Sequence, residues 1–166
     1  MFEHSIGPFF DEKSNILILG SFPSVKSREE NFYYANKQNR FWKVLAQVFK
    51  DQVPESESEK KDFLTAHRIA LWDVIASCEI IGSSDASIKN VTPSDISLIL
   101  ENAPIEKIVL NGKKAAQLFY RNQGSALPLR NCKAQVIEVY ELPSTSPANA
   151  AFSLDALIAH WSIISK

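Results

Sequence analysis

Apolar positions fall into two rhythms along this chain. "NILILG" (15–20) is a short continuous apolar run ending in glycine, the pattern of a strand buried on both faces. Phe41, Val44, Leu45 and Val48 then recur at helical spacing and predict an amphipathic helix through about Phe49. "EKIVLNG" (106–112) repeats the strand-then-glycine grammar and leads into a helix, "KKAAQLFYR", while "AQVIEVYEL" (134–142) is a β-branched strand. A last helix begins near Ser153 with Leu154, Leu157, Ile158 and Trp161 on one face.

The polar positions fill in the rest. Ser27 and Glu30 have capping-box spacing, which predicts a helical turn near "SREE". "DQVPESESEKKD" reads as a loop and then the exposed start of a helix running towards Arg68. "IALWDVIA" (69–76) fits a strand or a buried turn, and "GSSDASIKN" (82–90) has loop composition. Thr92, Pro93 and Asp95 form an N-terminal signature for a helix over roughly 93–102. Strands alternating with helices imply one α/β domain over residues 1–166, a three-layer α/β/α sandwich around a mainly parallel sheet.

Composition narrows the classes. The 166 residues are 45% apolar and 22% charged, as in a water-soluble globular domain. A net charge of −1 means that any nucleic-acid binding rests on local contacts rather than on a basic face. Cys78 and Cys132 are far apart, so no four-cysteine metal or cluster site fits, and neither a metal nor another cofactor is expected. The sequence has no signal pattern and no apolar run long enough to span a membrane, and the expectation is a cytoplasmic monomer.

Three loops follow strands: "GSFPS", "NGKK" and "PSTSPAN". In open α/β sheets the ligand crevice lies at that edge, so the three should meet around one cleft. Beside them "FYYANKQNRFW" (32–42) mixes aromatic rings with neutral amides, as a site for a planar polar molecule would. Read alone, "GSFPS" fits an ordinary turn, "NGKK" a solvated helix start and "PSTSPAN" an ST-rich turn. No GxSxG, HExxH or close carboxylate pair appears, and His4, His67 and His160 lie outside the three loops. Asp73 and Asp85 are the acids nearest to them, with caps or surface positions as their ordinary reading.

The series strand–"GSFPS", "YANKQNRFWKVLAQVF", "LNGKKA" and strand–"LPSTSPANA" resembles the uracil-DNA glycosylase superfamily from about Ile16 to Trp161. The resemblance is nearest to its hypoxanthine (deoxyinosine) branch, with the mismatch-specific uracil/thymine enzymes as cousins. It implies a DNA partner carrying deaminated bases, a flipped nucleotide and hydrolysis of its N-glycosidic bond. Aligned on "NRFW", Asn39 falls on the catalytic amide and Tyr34 on the base-stacking aromatic. Gly20, Ser21, Phe22 and Asn111 would complete the base pocket. Ser144, Thr145, Ser146 and Lys113 would grip phosphates, and Pro147 would press into the duplex.

Two positions depart from the superfamily's strongest uracil enzymes. Phe22 stands where many members carry a water-positioning Asn or Asp, and Leu142 where they carry a His for the departing base. Both fit the hypoxanthine branch and leave catalysis to neutral dipoles. Uracil, xanthine or a mismatched base as substrate, and a non-catalytic binder of damaged DNA or nucleotides, remain the alternatives.

Overall fold

A computed structural model describes all residues 1–166. Its strands are β1 (Phe2–Glu3), β2 (Ile16–Gly20), β3 (Ile69–Asp73), β4 (Ile75–Glu79), β5 (Lys89–Pro93), β6 (Lys107–Asn111) and β7 (Glu138–Leu142). Its helices are α1 (Val25–Glu30), α2 (Phe41–Val48), α3 (Glu57–Ala66), α4 (Ser97–Leu100), α5 (Lys113–Gln123) and α6 (Leu154–Trp161). The central sheet has the order β3-β2-β6-β7, and every pair in it is parallel. A second, antiparallel sheet, β1-β4-β5, flanks it.

Alternation along the central strands divides the core into two layers. Ile16, Ile18, Leu71 and Val109 pack with α2, α3 and α6, while Leu17, Leu19, Ala70, Ile108 and Leu110 face α4, α5 and the small sheet. Ile18 is in register with Leu71 on one side and Val109 on the other, so neighbouring strands present the same face at each level. The α/β/α expectation holds.

Several elements differ from the sequence reading. The first helix is capped by Ser24, which accepts from the Ser27 amide, and not by Ser27. Ser27 is buried and its hydroxyl oxygen accepts from the Ala35 amide, fixing the approach to the aromatic–amide stretch. The ambiguous "IALWDVIA" proves to be the end of one sheet and the start of another, broken only at Val74. No helix starts at Pro93: Thr92 and Pro93 end edge strand β5, and α4 begins at Ser97, whose amide is held by the Asp95 carboxylate. Pro is tolerated there because an edge position has no partner for its missing N–H. The strand expected from residue 134 begins at Glu138, because the Asn131 side chain folds 131–135 into a turn by accepting from the amides of Lys133 and Gln135.

Candidate active site at the carboxyl edge of the sheet

The parallel strands end together, and the segments that follow them enclose a cavity of about 220 Å³. Gly20 ends β2 and Ser21 to Ser24 follow it, Asp73 ends β3, Asn111 ends β6, and Ser144 to Ala148 follow β7; Tyr33, Tyr34, Asn36 and Asn39, with Ser83 and Asp85, form the remaining wall. The size suits one planar ring system rather than a whole nucleotide, and sites of this kind lie where polar groups converge at such an edge.

Asn39 is held from one end. Its Oδ1 accepts from the Thr145 hydroxyl (2.8 Å) and from the Phe41 amide (3.0 Å) that opens α2. A backbone N–H can only donate, so the carbonyl end of this side chain is fixed and the Nδ2 amide is the end left for the cleft. Thr145 is wholly buried, and its hydroxyl also accepts from Asn111 Nδ2 (3.2 Å), while its own amide donates to Asn111 Oδ1 (3.1 Å). Asn111 Nδ2 further donates to the Tyr34 hydroxyl (3.2 Å). One chain of bonds thus runs from Asn39 through Thr145 and Asn111 to Tyr34.

The Tyr34 ring stacks on Phe41, centroids 3.7 Å apart and planes 13° from parallel, so only its other face remains for a ligand. Its backbone sits at φ 51°, a left-handed conformation that costs a non-glycine residue about 1–3 kcal/mol. The Phe41 stack, the Asn111 bond and the Trp42 indole N–H donated to the Tyr34 carbonyl (3.2 Å) together impose it. Burial, then the nearby Asp73 charge, raises the pKa of both Tyr33 and Tyr34, keeping the phenols protonated.

The glycines at this edge allow close approach. A Cβ on Gly20 would lie 2.5 Å from Asp73 Oδ1, and one on Gly112, at φ 99°, would lie 2.9 Å from Ser144 Cβ. Phe22 packs into the core below the cleft, edge-on to His4. Ser21 donates its hydroxyl to Asp85 (2.6 Å). Burial raises the pKa of Asp85, opposed by the Ser21 bond and the Lys114 charge.

The strand-following loops therefore meet as expected, but two predicted phosphate contacts move. Thr145 faces inward and braces Asn39, so it has no free surface to offer a phosphate. Lys113 lies outside the cavity in a neighbouring groove of about 970 Å³, which it shares with Lys114, Ser144, Ser146 and Asn149. Ser144 and Ser146 accept from the amides of Ser146 and Ala148, leaving both hydroxyl protons to be donated outward. Pro147 and Ala148 are exposed at the tip of the loop.

Three residues escaped the sequence reading. Arg40 donates to the carbonyls of Ser146 and Asn149 (both 3.1 Å) and of Phe152, pinning the 144–152 segment to the start of α2. Asp73 is no surface cap: it is buried and accepts from His4 Nε2 (2.7 Å). A polar residue closing an apolar strand, shared by "IALWD" and "KIVLN", was the signal that could have found Asp73 beside Asn111. For His4 there was none, because β1 reaches the site only by pairing with the distant β4.

The family model described as "Uracil DNA glycosylase superfamily" matches residues 8–162. A curated hypoxanthine DNA glycosylase of Methanosarcina acetivorans is 34% identical over 92% of this chain and 92% of its own length. One from Methanosarcina barkeri is 33% identical over 66% of this chain and 71% of its own. A solution NMR structure from Methanosarcina acetivorans, described as a candidate uracil DNA glycosylase, superposes with a TM-score of 0.80. That superposition is at 30% identity and covers 99% of this chain and 96% of the other.

Proposed function

The chain belongs to the uracil DNA glycosylase superfamily, and from that premise we propose that it excises hypoxanthine from deoxyinosine in DNA, as a cytoplasmic monomer. The named activity of the two Methanosarcina relatives supports the choice of base. The observation that carries the mechanism is the fixed amide of Asn39, its Oδ1 tied to Thr145 and Phe41 and its Nδ2 left for the cleft. Cleaving the N-glycosidic bond builds positive charge on the sugar and negative charge on the departing base. An oriented N–H₂ donor stabilises the base as it leaves and needs no reorganisation at that moment.

The other residues position the substrate. The free face of Tyr34 stacks on the flipped base, and Gly20, Ser21, Phe22 and Asn111 shape the rest of the pocket. The outward hydroxyls of Ser144 and Ser146, with Lys113 in the adjoining groove, take phosphates, while Pro147 enters the duplex. No lysine lines the cavity to form a Schiff base, so the product is an intact abasic strand.

Labelled duplexes carrying inosine, uracil, xanthine or G·T test the reading. Inosine strands are expected to break only after alkali, at a rate unchanged by excess EDTA, since no cluster of three metal-ligating side chains exists in the chain. Absence of abasic product from every duplex would leave a non-catalytic binder. Restoration of activity by a metal after chelation would overturn the dipole mechanism.

Tyr34→Ala should lose a stacking surface worth roughly 1–3 kcal/mol. Binding to an inosine duplex weakens while binding to undamaged duplex does not. Inosine excision at the wild-type rate would remove Tyr34 from the pocket.

A further inference from the structure

Asp73 carries a carboxylate that the mechanism above does not use. Its side chain and that of His4 are 5% and 4% exposed, and Nε2 of His4 lies 2.7 Å from Oδ2. The other oxygen, Oδ1, receives no hydrogen bond from the protein and lies at the cavity wall beside Gly20, where a Cβ would meet it at 2.5 Å. The imidazole is wedged between Phe22, at 5.9 Å and edge-on, and Tyr33, at 6.0 Å. His4 is further anchored by its amide, which donates to the Ala76 carbonyl (2.7 Å).

A buried carboxylate with one oxygen tied and the other aimed into a cavity is a fixed acceptor. Asn39 Nδ2 and the Tyr34 hydroxyl each carry a proton that can be donated to a base edge, while the Ser21 proton is given to Asp85. Asp85, the other carboxylate of the cleft, already accepts from the Ser21 hydroxyl. Asp73 Oδ1 is a buried carboxylate oxygen at the cavity wall that receives no hydrogen bond from the protein. Deamination of adenine turns ring nitrogen N1 from an acceptor into an N–H donor. An acceptor-only oxygen attracts the second and repels the first.

We infer that Asp73 is the base-discriminating residue, its Oδ1 accepting the lactam N–H that deamination creates, with His4 as the residue that positions the carboxylate. This rests on the glycosylase reading and deepens it, since it states how one oxo-purine is told from its amino parent. The same oxygen accepts the lactam N–H of uracil or xanthine, and equally that of guanine or thymine, so the device tells an oxo base from its amino parent and leaves ring size and the other substituents to the pocket.

The test is binding of two duplexes that resist cleavage, one carrying 2′-fluoro-2′-deoxyinosine and one 2′-fluoro-2′-deoxyadenosine, each opposite the same base. Comparing the ratio of the two affinities between wild type and variant cancels the difference in unpairing cost. In Asp73→Asn, His4 holds the amide oxygen and the N–H₂ faces the base. The preference for inosine is expected to fall by about 10–100-fold, the loss of a hydrogen bond to a charged group. His4→Phe should lower the preference, and His4→Gln, which restores a donor, should recover most of it.

A wild-type ratio in Asp73→Asn or in His4→Phe would overturn the assignment. So would an unchanged ratio with excision of ordinary inosine slowed more than 100-fold, which would make Asp73 a water-activating base. If Asp73→Asn fails to fold, the two His4 variants decide alone. Wild-type protein that discriminates the fluorinated duplexes yet never cleaves inosine would sink the glycosylase reading while leaving the discrimination intact.

Discussion

Asn39→Ala should excise inosine at least about 100-fold more slowly than the wild type, the loss of one preorganised donor at roughly 2.7–4 kcal/mol. Single-turnover excision measures it. Binding to a duplex that already holds an abasic site should change little, because the hydroxyls of Ser144 and Ser146 that meet phosphate are oriented by their own loop. Asn39→Asp is the sharper experiment. The carboxylate keeps both bonds to one oxygen, from Thr145 and from the Phe41 amide, but turns an anion instead of an N–H₂ towards the base. Placed against a leaving group that is gaining negative charge it repels, so Asp should be as slow as Ala. Retained activity that rises as the carboxylate ionises would show that residue 39 activates water instead.

The second large effect falls on stability and activity together. Arg40→Ala removes a guanidinium that satisfies carbonyls of Ser146, Asn149 and Phe152 at once. Leaving such groups without a partner costs about 1–3 kcal/mol each where they are buried, and these are partly buried, so a total of roughly 2–4 kcal/mol is expected. Thermal unfolding should report that loss, and excision should fall beyond it, since Thr145 in the same segment braces Asn39. Arg40→Lys should not rescue either property, because an ammonium lacks the planar fork that reaches several carbonyls from one side chain. A lysine variant with wild-type melting and excision would show that the loop is held by its own turns.

What the sequence could reveal followed the range of the interactions. β2, β6, α2, α5 and α6 were legible because their signals are local: apolar runs, helical spacing, a capping serine. The meeting of the loops was legible because parallel strands place their carboxyl ends at one edge. The inward turn of Thr145 was not, since a threonine among serines and prolines carries no mark of which hydroxyl will be buried against an amide far away. The small sheet was missed for a related reason. "KNVTP" has the polar composition of a loop and becomes a strand only because β4 offers it an edge. His4 and Asp73 lie 69 residues apart, and their pairing is a property of the assembled sheets.

The bond from Thr145 to Asn39 joins residues 106 positions apart, and the loop that carries Thr145 is itself anchored when the Trp161 indole N–H donates to the Pro143 carbonyl (2.9 Å). A ribosome delivers residues in order, so the aromatic–amide wall is made long before the hydroxyl that orients it. Until α6 has emerged and docked, the nascent chain has a stacking ring and an amide held only by the neighbouring Phe41 N–H, without the hydroxyl that completes its brace. The brace on the proposed catalytic amide is therefore among the last features of the fold to form, complete only when the final helix closes on the sheet.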